Sequence, residues 1–119
     1  MNDLIRPSLY NAYHKIEAVA KEANSADSEK TPADVVGPVC ESGDFFGKSV
    51  PLPPLQHNDL IAVYSAGAYG FTMASNYNTR PKPAEVAIQG DSVRLIRKRE
   101  TYEDQVRLEL ECLDGEEAG

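Results

Sequence analysis

The spacing of apolar and polar positions predicts a chain built mostly of short strands. From Tyr13 to Glu22, Ile16, Ala18 and Ala20 alternate with Lys15, Glu17 and Lys21. A period of two is the mark of a strand with one buried face. Ala, Glu and Lys are also good helix formers, so a helix competes with that reading. Asn24 to Pro32 is polar and rich in Ser and Asp, which predicts a loop. Val35 to Cys40 is a β-branched apolar run that predicts a buried strand, with Gly37-Pro38 marking a bend or bulge inside it. Glu41 to Asp44 should turn. Phe46 to Asn58 carries Pro51, Pro53 and Pro54 and should be an extended connection, ending in a turn at Asn58-Asp59. Leu60 to Tyr64 reads as the clearest buried strand of the chain.

The remaining segments follow the same logic. Asp3 is placed to cap a short helical turn running through Tyr10, with Pro7 in its first turn, where a missing N–H costs little. Ala66-Gly67-Ala68-Tyr69-Gly70 sets an aromatic between glycines, which permit unusual backbone angles and close approach. One or two helical turns over Phe71 to Tyr77 should stop near Pro81. Glu85 to Gln89 and Ser92 to Lys98 flank Gly90-Asp91 and predict a tight hairpin. Thr101 with Asp104 resembles a capping box for a helix to Leu113, with Val106, Leu110 and Leu113 on one face. The sum is a mainly β fold, a sandwich or distorted barrel with short helices, in one domain over residues 1–119 that ends in an acidic tail from 114.

Composition narrows the partners. The formal net charge of −7 argues against a nucleic-acid backbone, which needs clustered Lys and Arg. The basic residues between Arg94 and Arg99 alternate with apolar ones, as on the polar face of a strand. No apolar run approaches the roughly 20 residues that span a bilayer, and the N-terminus lacks a signal-peptide pattern, so a cytoplasmic protein is expected. The 2 cysteines, Cys40 and Cys112, lie far apart in no metal-ligand spacing. Neither a disulfide framework nor a structural zinc site is expected, and no metal is implied. The motifs of P-loop, Rossmann, zincin and α/β-hydrolase enzymes are missing from the sequence.

Four places could carry chemistry. Cys40 beside Glu41 pairs a thiol that titrates near neutrality with a carboxylate, or is a buried structural cysteine followed by a solvated acid. Arg6 and Tyr10, four apart, would share one face of a helical turn and suit a carboxylate, or the arginine packs on a core tyrosine. Tyr69 could offer its hydroxyl to a phosphate or carboxylate, or plug the core. His14 has the chemistry of an acid–base group but stands alone on a strand, which favours a structural role.

Six ordered segments carry a resemblance that these readings lack. They are Met1 to Tyr10, Gly37-Pro38-Val39-Cys40-Glu41-Ser42-Gly43-Asp44, Ala66 to Gly70, Ser75 to Asn78, Arg80 to Val86 and Arg99 to Asp104. In this order they resemble bacterial diaminopimelate decarboxylases over roughly residues 1 to 110. The resemblance implies a pyridoxal-phosphate enzyme of the alanine-racemase fold type, with an N-terminal TIM-like barrel followed by a β domain. It implies conversion of meso-diaminopimelate into L-lysine and carbon dioxide, by a homodimer whose sites lie between the barrel of one subunit and the β domain of the other. Arg6 and Tyr10 match residues that bind the substrate carboxylate that is retained. Glu41 matches the one that recognises the amino group there, reaching in from the partner subunit. Cys40 matches the proposed proton donor, and Tyr69 the residue at the cofactor phosphate and substrate.

The sequence departs from that pattern in one respect. The family's Schiff-base lysine lies in the barrel, and Lys15, Lys21, Lys30, Lys48, Lys82 and Lys98 do not match its motif. The chain is therefore expected to be a C-terminal fragment, with residues 1–12 as the junction to a barrel, and to be inactive alone. Ornithine- and arginine-type decarboxylases resemble it in fold and cysteine but typically follow the cysteine with Asp, so Glu41 favours diaminopimelate. A free-standing β domain that acts as an interaction module is the remaining alternative.

Overall fold

The computed structural model describes residues 1–20, 29–113 and 115. Their order is α1 (Arg6–Tyr10), β1 (Ile16–Ala18), β2 (Thr31–Val36), β3 (Phe45–Leu52), β4 (Ile61–Val63), β5 (Glu85–Gln89), β6 (Ser92–Arg97) and α2 (Tyr102–Leu113). Short 3-10 turns at Phe71–Met73 and Tyr77–Thr79 lie between β4 and β5. The chain groups into two units, Met1–Ala74 and Ser75–Gly119. The fold is mainly β, as expected. Among the described residues, however, the strands form three two-stranded antiparallel ladders, β1–β4, β2–β3 and β5–β6, and no closed barrel.

In the first unit, β2 and β3 make the longest ladder. The proline-rich connection expected from Phe46 is instead strand β3. Pro32 and Pro51 face each other in its register. Neither has an N–H to give, so neither can donate a hydrogen bond to the ladder at this pair. The register shifts between Ala33 and Val35 and again before Val36. At the first shift Ser49 takes a positive φ of 54° and its N–H donates to Asp34 Oδ1 at 2.8 Å, a side-chain bond that secures the extra residue of a bulge. β2 ends at Val36, so the strand expected through Cys40 stops short. Gly37-Pro38 ends the ladder rather than bending it, and Val39-Cys40 belong to the loop.

The core of this unit is Ile16, Val35 and Leu52, with Ala33, Phe46, Val50 and Val63 packed on it. Gly47 sits where a Cβ would be 2.7 Å from Val50 Cγ2 and 3.2 Å from Ile16 Cδ1, so β1 approaches β3 because that residue has no side chain. The strand expected over Tyr13 to Glu22 is only three residues long within the described part. Leu60 to Tyr64 is not the buried strand its composition suggested. β4 covers Ile61–Val63, and Leu60 is 70% exposed. A two-stranded ladder has too little on either side to cover every apolar side chain.

α1 starts after Ile5 with no side-chain cap, so Asp3 does not play the capping role expected of it. Pro7 lies in the first turn and is fully buried. Asn11 ends the helix at φ 53°, a left-handed cap that Asn tolerates well.

The second unit is held locally. Gly90 takes a positive φ of 58° in the two-residue turn joining β5 and β6. Glu85 faces Arg97 across the ladder, with Arg97 Nε 2.8 Å from Glu85 Oε2. Glu100 Oε2 accepts from Asn76 Nδ2 at 2.6 Å and Lys82 N at 2.8 Å. Thr101 opens α2 through the expected reciprocal box. Its Oγ1 accepts from Asp104 N at 3.3 Å, and its N–H donates to Asp104 Oδ2 at 2.8 Å. Val106, Leu110 and Leu113 are exposed. Most of the expected loop from Asn24 and of the tail beyond Leu113 lies outside the described residues.

Candidate active-site residues

Arg6 and Tyr10 meet as their spacing predicts. The guanidinium carbon stands 5.9 Å from the Tyr10 ring centre, close enough for a cation–π contact. Arg6 is half-buried and Tyr10 is 60% exposed, so neither is sealed in the core. The ring holds the guanidinium while leaving its donors to a ligand. That pairing suits a carboxylate, which a guanidinium binds through two parallel hydrogen bonds.

Cys40 and Glu41 occupy an exposed loop that begins where β2 ends. The Cys40 thiol is free and exposed, which removes the buried structural reading of that residue. Glu41 folds back on its own loop. Its Oε1 accepts from Gly43 N at 3.2 Å and from Ser42 Oγ at 3.3 Å. One carboxylate oxygen is thereby oriented by groups within two residues of it.

The loop is tied to α1. A Cβ built on Gly43 would lie 2.8 Å from Ser8 Oγ, so the Gly43 backbone packs directly against the helix that carries Arg6 and Tyr10. This contact ties the two groups of candidate residues to each other within the chain. Sequence reasoning did not assign a role to Ser8 or Gly43. A glycine between two polar residues was the only signal available.

Tyr69 stands on a different turn and breaks the expectation attached to its glycines. Gly67 and Gly70 do not take up positive φ; Tyr69 does, at 57°. A bulky side chain in that region is uncommon and costs on the order of 1 kcal/mol or more. Gly70 serves close approach instead, because a Cβ there would be 2.4 Å from the Ala66 carbonyl oxygen. Tyr69 is 64% exposed, so it does not plug the core and its hydroxyl is available to a ligand. The structure thus brings Arg6, Tyr10, Cys40 and Glu41 onto connected elements and carries Tyr69 separately in the same unit.

His14 is buried in the scaffold, with its ring Nδ1 3.0 Å from the Tyr64 carbonyl oxygen. The Nδ1–H must be the donor. Tyr64 N also donates to Lys15 O at 2.8 Å, so the histidine pins the segment before β1 to the end of β4. A cavity of about 590 Å³ lies beside it, bounded by His14, Ile16, Phe45, Phe46, Lys48 and Pro51 among others. None of the five candidate site residues lines it.

Pyridoxal phosphate needs a phosphate cradle and a lysine held with a lowered pKa, so that its amine is unprotonated. The exposed Tyr69 hydroxyl fits the first in part. Lys15 does not fit the second. Lys15 is shifted the other way, above 10.5, by its hydrogen bond and charge pairing with Glu17, 2.7 Å away. Among the described residues no group of His, Cys, Asp and Glu is placed to hold a metal ion. No helix among them is long and apolar enough to cross a membrane.

Comparison with known proteins adds an independent line. Residues 1–67 match the family model of the pyridoxal-dependent decarboxylase C-terminal sheet domain. The chain is 53% identical over 113 residues to diaminopimelate decarboxylase of Campylobacter jejuni, covering 95% of this chain and 27% of that protein. It is 52% identical over 116 residues to the Neisseria meningitidis enzyme, covering 98% of this chain and 27% of that one. The crystal structure of diaminopimelate decarboxylase from Helicobacter pylori complexed with L-lysine superposes with a TM-score of 0.83 at 53% identity, over 94% of this chain and 27% of that one. The chain therefore spans about a quarter of the length of these relatives.

Proposed function

Because the chain belongs to the pyridoxal-dependent decarboxylases, matching their C-terminal sheet domain, we propose that it contributes substrate-binding and proton-donating residues to the decarboxylation of meso-diaminopimelate to L-lysine. The observation that carries this reading is the packing of Gly43 on Ser8. It fixes, within one chain, the helix that would serve the subunit's own site and the loop that would reach into the partner's. The lysine-bound relative at 53% identity supports the choice of substrate, since L-lysine is the expected product.

Each residue has one task in this account. The Arg6 guanidinium and Tyr10 hydroxyl bind the carboxylate that stays on the product. The Glu41 carboxylate pairs with the ammonium at the same end, where a second charged group distinguishes diaminopimelate from ornithine or arginine. Cys40 Sγ–H gives its proton to the carbon that has lost carbon dioxide. Tyr69 would donate a hydrogen bond from its hydroxyl to the cofactor phosphate. Pyridoxal phosphate, when bound, supplies the electron sink for decarboxylation. Its lysine attachment would come from outside this chain, from a barrel of the same polypeptide. Cys40 and Glu41 would serve the site of a second subunit in a cytoplasmic homodimer.

The test is a substrate panel on the holoenzyme containing this chain. Carbon dioxide release from meso-diaminopimelate should exceed that from ornithine and arginine, and Glu41→Asp should narrow the gap. Preference for ornithine in the parent enzyme would overturn the substrate assignment. The chain alone, mixed with pyridoxal phosphate and reduced with borohydride, should show no specifically labelled lysine. A single labelled lysine would contradict the division of labour proposed here.

A further inference from the structure

The loop that presents Cys40 and Glu41 is closed by a residue with no part in the site itself. Asp44 is only 3% exposed, and an acidic side chain is rarely buried to that extent without partners. Its Oδ2 accepts from Val39 N at 2.8 Å, and its Oδ1 accepts from the Met1 nitrogen. The ammonium at that nitrogen donates more strongly than a peptide N–H would, but either can donate to a carboxylate oxygen. The Asp44 backbone closes the loop a second time: its N–H donates to Glu41 O at 3.0 Å and its carbonyl accepts from Gly37 N at 2.9 Å. These bonds fall on both sides of Cys40–Glu41. Gly37 makes room for the carboxylate, because a Cβ there would lie 2.2 Å from Asp44 Oδ2 and 2.3 Å from Oδ1.

We propose that Asp44, in the space left by Gly37, is the positioning residue for Cys40 and Glu41, fixing the loop from beneath while both side chains stay exposed. The inference rests on the proposed role of Glu41 for its functional consequence, and on the hydrogen bonds above for its geometry. Exposed loops are ordinarily mobile. A site assembled from one needs its backbone held, and a buried carboxylate accepting main-chain N–H bonds does this without occupying the ligand's space.

The experiment compares the holoenzymes Asp44→Asn, Glu41→Gln and the double variant, at matched cofactor content per subunit. Asn replaces one acceptor oxygen with a donor, so it cannot satisfy both N–H partners. KM for meso-diaminopimelate should rise about tenfold in each single variant, and the double variant should show little more than either alone. A fall in the folded fraction lowers total rate but leaves KM unchanged, so KM separates positioning from simple destabilisation. An unchanged KM in Asp44→Asn, or effects that multiply in the double variant, would overturn the inference. Hydrogen exchange on the unmodified full chain tests the geometry without any substitution. The Val39 amide should be protected well beyond the other amides of the loop, and exchange at their rate would also overturn it. An unchanged KM in Glu41→Gln, with Val39 protected, would reject the role proposed for Glu41 and leave the positioning of the loop intact.

Discussion

The two units of the chain are held together by different physics. Met1–Ala74 contains every buried residue among those described, from Leu4 and Pro7 to Val35, Leu52 and the polar trio Asn2, His14 and Asp44. In the part from Ser75 onward no described residue is buried, and Ile88, Val93, Leu95 and Leu113 are 71, 66, 55 and 81% exposed. The first unit therefore relies on packing and the second on local hydrogen bonds: a hairpin turn, a cross-strand ion pair and a helix cap. The five candidate site residues all lie in the packed unit. Groups that must be held within a fraction of an ångström belong on elements whose positions are fixed by a core.

Substitutions should separate the two regimes, beginning with the largest effect. Leu52→Ala removes a 5%-exposed side chain from the core and should cost about 2–4 kcal/mol in chemical denaturation. A cost below about 1 kcal/mol would mean that the first unit is not core-driven. Gly37→Ala forces a methyl group onto the buried Asp44 carboxylate and should cost about 1–3 kcal/mol. Thr101→Ala removes the box at the start of α2. It should cost about 1 kcal/mol of helix stability, seen as lost far-UV circular dichroism, with the first unit unaffected. Ile88→Ser on the hairpin should change stability by no more than about 0.5 kcal/mol. A larger loss would show that this face is covered.

The smallest effect is a pH dependence at the same cap. Asp104 has its pKa lowered below 3.8, first by the Thr101 backbone N–H and then by the Thr101 hydroxyl. A carboxyl with a depressed folded pKa contributes stability that is present above the unfolded value and lost as pH falls through the folded one. The helical signal of α2 should therefore weaken only below pH 3.8, and Asp104→Asn should abolish that step. A step at higher pH would implicate a different group.

Much of this was legible in the sequence where the signal is local. The Gly90-Asp91 hairpin, the Thr101–Asp104 box and the Arg6–Tyr10 pairing each depend on residues within a few positions, and each formed. Features set by distant partners were not legible. Phe45–Leu52 became a strand because Thr31–Val36 pairs with it, overriding its proline. Leu60 looked buried by composition, but β4 is a short strand with a single partner. The role of Asp44 depends on Gly37, Val39 and Met1 converging on it, and no spacing rule announces such a meeting. Tyr69 was singled out, yet its left-handed backbone was expected of its glycine neighbours.

The central claim is that the Cys40–Glu41 loop does chemistry, and the most direct measurement is carbon dioxide release from meso-diaminopimelate by the Cys40→Ala holoenzyme at matched cofactor content. The account predicts a loss of about 100-fold or more in kcat, the usual scale for removing a positioned proton donor, with KM close to that of the parent enzyme. A kcat within about twofold of the parent would contradict it, because an exposed thiol that can be deleted without slowing the reaction is not the proton donor.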